Sequence, residues 1–341
     1  SLPGPIKREP ALDRWIQFNE DGTVTVCTGK VEIGQGIQTA IAMIAAEELD
    51  VSLDRIRVQT ADTERAPNEF VTAGSMSVED SGSAVRVASA TAREYLLALA
   101  AELLGVQANS LSVQDGTITS IDANEQTDYW SLQGGHPFGV TMLESPVLKD
   151  PHDYRIVGHK QPRLDVPDKV QGNVAFVHDM ILPHMRYGAL VKPPSPNAVL
   201  RDAPEKLNMP DVDIVRDGSF LGVIAAREEQ AVEAAGKLAA AARWDVVPLT
   251  PLPGAVPEYL RDRVSASLPV KGGTPVEEPV STPEIPIAAQ QTLQASYYRP
   301  YQMHGAMGPS AAIAQYMNGT LTVYSHSQGV ELLKLALADV L

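Results

Sequence analysis

A single cysteine, Cys27, stands in a chain of 341 residues, and one thiol can hold neither an iron–sulfur cluster nor a structural zinc. If electrons leave this protein through such clusters, another subunit carries them. Cys27 lies within the run TVTVCTG and reads as a buried structural thiol. The chain also lacks any apolar run of about eighteen residues, so no segment has the composition of a bilayer-spanning helix. Positive charge is scarce: 27 lysines and arginines face 42 aspartates and glutamates, a formal charge of −15. An acidic balance argues against nucleic acid, whose phosphates require clustered cations. The seven histidines (His136, His152, His159, His178, His184, His304 and His326) contain no i, i+4 pair and have no cysteine beside them, so no zinc motif is present.

What is present begins with length. At 341 residues two or three domains are expected, and a hydrophobic fraction of 44% is ordinary for a globular protein. The most informative stretch is GKVEIGQGIQTAIAMIAAEEL, residues 29–49. The strand TVTVCTG runs into Gly34-Gln35-Gly36 and then into a helix with Ile37, Ile41, Ile44 and Ala45 on one face. A strand, a tight glycine loop and a helix start make an anion cradle, because the first amides of a helix lack partners. Taken alone, such a turn is more often plain strand-to-helix punctuation. It is not a dinucleotide fingerprint, since the third glycine position is Thr39, and no P-loop lysine follows.

The second stretch is APNEFVTAGSMSVEDSGSAV, residues 66–85. Thr72, Ser75 and Ser77 gather around Gly74 just before a long helix, and small hydroxyls there suit a phosphate or a pterin ring. The alternative is an N-cap cluster, with Asp80 or Ser81 capping a helix from about Gly82 to Leu104. Spacing of Val85, Ala88, Ala92, Tyr95, Leu96 and Leu99 predicts that this helix is amphipathic and packs on a sheet. Hairpins are predicted at Asp115-Gly116 and Asn318-Gly319.

GKVEIGQGIQTA followed by TAGSMSVEDSGSAV resembles the molybdenum cofactor domain of the xanthine dehydrogenase and aldehyde oxidase family. The resemblance implies that Gly34, Gln35 and Gly36, with Thr72, Ser75 and Ser77, hold the phosphate and pterin parts of molybdopterin. It extends to Ser327-Gln328-Gly329, where a strand enters a helix. There it implies that Gln328, with Gly329 beside it, donates to an oxygen on molybdenum. The block from VGHKQPRLDVPDKVQG to the Ala-rich helix REEQAVEAAGKLAAAARWDVV is similar to the family's a/b hammerhead domain. Asp165, Lys169 and His178 within it read as turn and surface residues without chemistry.

The expected fold is therefore α+β, with molybdenum cofactor-binding segments flanking an a/b hammerhead. The first segment is expected at 1–150, the hammerhead at 151–247, a Pro-rich linker at 248–289 and a second cofactor segment from 290–341. The linker rests on nine prolines between Pro248 and Pro286, without a sustained apolar period. In xanthine dehydrogenase-like chains the two cofactor motifs follow the hammerhead, whereas here they precede it. That order is similar to the isoquinoline 1-oxidoreductase and nicotinate dehydrogenase branch, whose large subunits usually carry a secretory signal that is removed. A start at Ser1 fits a processed form, so the expected location is periplasmic, otherwise cytoplasmic.

The implied activity is hydroxylation of an N-heteroaromatic or aldehyde substrate with water as the oxygen source. The implied cofactor is molybdenum–molybdopterin, in its cytosine dinucleotide form. Implied partners are an iron–sulfur subunit, a second chain carrying the rest of the cofactor domain, and cytochrome c. The family's catalytic glutamate, in a late Gly-Glu motif, has no counterpart before Leu341, and neither Glu32 nor Glu79 is nominated in its place. The alternative is a non-catalytic cofactor-binding or assembly fragment of such an enzyme.

Overall fold

The computed structural model describes residues 2–120, 124–246, 256–263, 266, 268–279, 281, 284–295, 297, 302, 304–306 and 308–341. It divides into two compact units, Ser1–Met180 with Ser310–Leu341, and Ile181–Pro309.

The first unit starts with a short helix α1 (Gly4–Arg8) and the strands β1 (Ile16–Phe18) and β2 (Val24–Thr28). Helix α2 (Ile37–Leu49) then crosses to β3 (Ile56–Thr60). In this sheet β1 pairs antiparallel and β3 parallel with β2, so β2–α2–β3 is a crossover unit that leaves the Gly34–Gly36 loop at the end of β2. Helix α3 (Ser83–Leu104) packs on α2 and the sheet. The predicted apolar stripes are what is buried: Ile37, Ile41 and Ala45 on α2, and Val85, Ala88, Ala92 and Leu96 on α3, with Ile44, Tyr95 and Leu99 against the same core.

The start of α3 differs from the capped helix predicted from sequence. Residues Ser77–Gly82 form a wide π turn that leads directly into it, and no side chain caps the helix. Ser81 cannot cap because its hydroxyl turns inward to Glu69 and Thr28. Wide turns of this kind recur at functional sites.

Strands β4 (Leu111–Gln114), β5 (Thr117–Ser120) and β6 (Glu125–Asp128) form a meander. Asp115 and Gly116 both have positive φ (48° and 77°), the tight hairpin turn that the dipeptide predicts. Helix α4 (Tyr129–Gln133) begins at Asp128, whose carboxylate accepts from the Trp130 and Ser131 amides. Residues up to 180, including α5 (Val166–Gln171), remain with this unit, so its border lies beyond the 150/151 boundary expected from sequence. The reason is α2's buried acidic end. Glu47 Oε2 accepts the amides of Arg155, Ile156 and Val157 at 2.6–2.9 Å, and Glu48 accepts from Arg86, Arg93 and the Lys149 amide.

In the second unit β7 (Tyr187–Leu190), β10 (Phe220–Ala225) and β9 (Val212–Asp217) form an antiparallel sheet in that order. Strand β8 (Val199–Asp202) pairs with β11 (Arg243–Asp245). The Ala-rich helix α6 (Glu228–Ala241) buries Ala231, Ala234, Ala235 and Leu238 against Leu221, Val223 and Ala225. The Pro-rich stretch contributes α7 (Val256–Arg261) and the two-residue strands β12 (Val270–Lys271) and β13 (Thr274–Pro275). The rest of the predicted linker lies partly outside the described residues, as does most of YYRPYQM at 297–303.

The chain then rejoins the first unit with the hairpin β14 (Ala312–Met317) and β15 (Thr320–Ser325), turning at Asn318-Gly319 as predicted, and with helix α8 (Val330–Val340). Among the described residues no helix is long and apolar enough to cross a membrane.

Candidate functional site

The candidate cofactor residues all fall in the first unit, and a relay of hydrogen bonds joins the three stretches that carry them. The Gln35 side chain folds back on its own loop, donating to the Val31 carbonyl at 2.9 Å and accepting from the Ile33 amide at 2.7 Å. The Val31 amide in turn donates to Thr72 Oγ1 at 2.8 Å. Thr72 donates its amide to the Gln328 carbonyl at 2.7 Å, and its own carbonyl accepts from Gln328 Nε2 at 2.8 Å. Gln328 thus clasps Thr72 through both main chain and side chain, and its amide group keeps a second N–H in reserve. A Cβ added at Gly329 would meet the Phe70 carbonyl and Val71 Cγ2 at ordinary contact distance, 3.6 Å.

Ser75 and Ser77 behave differently from Thr72, which is buried. Ser75 is exposed and Ser77 half-buried, and among the described residues no group takes either hydroxyl. Ser75 and Phe70 both hold left-handed backbone (φ 60° and 66°), conformations that cost about 1–3 kcal/mol each and gather where function requires them. Ile33, Phe70, Met76 and Val78 are exposed along the same two loops.

Behind the clasp lies a buried polar group that sequence reasoning missed. Glu69 is 3% exposed, and its Oε2 accepts from Thr28 Oγ1 at 2.7 Å, the Gly29 amide at 2.9 Å and Ser81 Oγ at 2.8 Å. Lys30, also 3% exposed, directs its ammonium to the carbonyls of Glu69 and Val71 at 3.1 and 3.0 Å. A side chain at Gly29 could not be accommodated, because its Cβ would meet the Pro67 carbonyl at 2.4 Å. Together these pin residues 69–72 to the end of β2. The available signal was a lysine and a glutamate placed within otherwise apolar and small-residue runs, where charge without a partner is costly. The other Glu69 oxygen, Oε1, is buried and has no partner among the described residues, and Glu69 borders a cavity of about 10 Å³ shared with Gly29, Asp62, Phe70 and Val330. That is room for one water and not for a pterin.

The helix start is arranged otherwise than the sequence suggested. The amides of Gly34, Gly36 and Gln38 do not stand open to an anion; the Glu32 carboxylate accepts all three at 2.8–3.2 Å. Arg163 reaches the same loop, donating to the Gly34 carbonyl at 2.8 Å. The Cys27 thiol is buried and pushed up to about 11, chiefly by desolvation, as an inert structural thiol should be. No cluster of three or more histidine, cysteine or acidic residues that could ligate a metal occurs among the described residues. The Ser75 and Ser77 hydroxyls, which no described group takes, the second Gln328 N–H and the open space at Gly34 suit an organic group with several acceptors.

Residues 5–154 match the model of the molybdopterin cofactor-binding domain. The chain is 35% identical to the B subunit of nicotinate dehydrogenase from Pseudomonas putida, over 99% of this chain and 29% of that protein. It is 30% identical to a membrane-bound aldehyde dehydrogenase (pyrroloquinoline-quinone) of Gluconacetobacter polyoxogenes, over 57% of this chain and 25% of that one. The beta chain of isoquinoline 1-oxidoreductase from Brevundimonas diminuta is 28% identical over 57% and 29% respectively. Residues 5–154, the larger part of the first unit, are thus a molybdopterin cofactor-binding domain. The chain belongs to the xanthine dehydrogenase and aldehyde oxidase family, and it spans under a third of the length of these relatives.

Proposed function

We propose that this chain is the first part of the large subunit of a molybdenum hydroxylase that oxidises an N-heteroaromatic or aldehyde substrate. The observation that carries the reading is the relay from Gln35 through Val31 and Thr72 to Gln328, which joins three sequence-distant motifs in one place. When bound, the molybdenum–pterin group supplies the redox chemistry, with water as the source of oxygen. The chain's residues supply position. Ser75 and Ser77 would donate to the pterin and phosphate end, Thr72 fixes the loop that carries them, and the second Gln328 N–H would be available to an oxygen of the group. Gly34, Gly36 and Gly329 keep the backbone close.

The finer parts of this reading follow the family resemblance of the sequence motifs. The cofactor is taken to be the cytosine dinucleotide form, and iron–sulfur clusters sit on a partner subunit that passes electrons onward, cytochrome c being one acceptor. The remaining walls and the catalytic base come from polypeptide outside this sequence. Of the expected hammerhead span 151–247, the part from residue 181, with the β7–β10–β9 sheet under α6, is assigned to an a/b hammerhead, and the location is periplasmic, testable by cell fractionation. The competing reading, a non-catalytic cofactor-binding or assembly fragment, draws on the water-sized cavity beside Glu69.

Metal analysis of the purified complex separates the two. Molybdenum together with co-purifying polypeptide bearing a Gly-Glu motif and with substrate-dependent turnover supports the enzyme; molybdenum without turnover supports the fragment. Ser75→Ala combined with Ser77→Ala should lower molybdenum per chain after gel filtration, and an unchanged content would remove both hydroxyls from the site.

A further inference from the structure

We propose that Glu32 and Arg163 form an ion-paired latch that sets the shape of the Gly34–Gly36 loop, and that both are positioning residues for the cofactor rather than ligands to it. The clause about the cofactor rests on the function proposed above; the latch itself rests on geometry alone.

Glu32 is the first half. Its Oε1 accepts the amides of Gly34 and Gly36 at 2.8 and 3.0 Å, and its Oε2 accepts the Gln38 amide at 3.2 Å. The seat that a helix N-terminus offers to an anion is therefore filled by the chain's own carboxylate. A phosphate on these amides would have to displace it. This separates the loop's role from that of the phosphate loops it resembles in sequence: its donors turn inward, and what it presents outward is backbone shape.

Arg163 is the second half. One arm of the guanidinium donates to the Gly34 carbonyl at 2.8 Å, and the other stands 3.4 Å from Glu32 Oε1. Its orientation is fixed from behind by Asp165, which takes Nε at 2.9 Å and Nη2 at 2.7 Å. Asp165 is itself braced by Lys169 at 2.6 Å, and its side chain is only 6% exposed. The adjoining Leu164 amide donates to Thr39 Oγ1 at 3.0 Å, which ties this segment to the first turn of α2. Gly34 and Gly36 both occupy left-handed backbone (φ 101° and 83°), so beside the bonds of the Gln35 side chain to Val31 and Ile33 the loop's shape depends on the Glu32 and Arg163 contacts. A planar fork that bonds a carbonyl and two carboxylates at once is a task for arginine; a lysine ammonium in its place keeps the charge and loses the geometry.

Hydrogen–deuterium exchange on the purified full chain tests this, read on the peptide covering residues 31–38, with melting temperature and molybdenum per chain measured alongside. Arg163→Ala should speed exchange in that peptide about tenfold while the α3 peptide exchanges as in the wild type, with a lower melting temperature because Asp165 loses its first partner. Arg163→Lys should resemble the alanine variant, and molybdenum per chain should fall in both. Unchanged exchange in Arg163→Ala, or wild-type exchange and molybdenum content in Arg163→Lys, would overturn the latch. Should the alanine variant fail to fold, the lysine variant decides by the same readouts. If the wild-type complex carries no molybdenum while the exchange pattern is as expected, the latch stands and the cofactor assignment is what fails.

Discussion

Thr72 is the residue on which the site turns, because its hydroxyl, amide and carbonyl all serve different neighbours. Thr72→Val keeps the volume and removes the acceptor of the Val31 amide. Leaving that donor without a partner should cost about 1–3 kcal/mol, measurable by denaturant unfolding. A variant as stable as the wild type would mean that water replaces the hydroxyl. Cys27 offers a simpler test. With its thiol raised to about 11 by burial, it should not react with a disulfide reagent near pH 8 until the protein is unfolded. Rapid labelling of the native protein would contradict the burial described for β2.

At the scale of elements, α2 carries more than a loop. Its last turn buries Glu47 and Glu48, each with a side chain 2% exposed, and these hold the connector that follows the β4–β6 meander. Glu48→Ala would leave Arg86 and Arg93 facing each other without their shared carboxylate, and a loss of about 3–5 kcal/mol is expected from equilibrium unfolding. A loss below about 1 kcal/mol would show that the arginines simply turn to solvent.

The same elements show what could be read beforehand. Helices α2 and α3 were legible because apolar spacing records which face is buried, and both hairpins were legible because Asp-Gly and Asn-Gly accept a backbone that few other pairs do. Thr72 and Gln328 were legible only as motifs; the resemblance implied that both lie at one cofactor, and their direct contact had no sign in any local pattern. Glu69, Lys30 and Arg163 were not recovered at all. A buried charge has no periodic signature, and its partners here are backbone groups about forty residues away or, for Arg163, more than a hundred. The filled helix start was not foreseen either, since nothing in the spacing says that Glu32, two positions before Gly34, takes the loop's own amides.

Across the whole molecule, acidity acts through carboxylates that the fold uses as acceptors. Burial pushes the Glu47 carboxyl up, but the amides of Ile156 and Val157, then Lys149 and the Arg155 amide, outweigh it and leave it below its ordinary 4.5. Arg163 and Lys169 hold Asp165 well below the usual carboxylate range. A carboxyl lowered on folding contributes stability that is present above its unfolded value and lost as pH falls through the folded one. Melting temperature should therefore drop as pH is lowered below about 4, and Glu47→Gln should flatten that drop. A melting temperature that holds steady or climbs on acidification would refute this.

The first unit is assembled from two pieces of chain, and the contact that closes it joins residues separated by 256 positions. On the ribosome, the segment around Thr72 emerges long before Gln328 exists to receive it. Throughout that interval the Thr72 loop lacks the partner that clasps it, so under the function proposed above loading would wait until the return segment has been translated and docked.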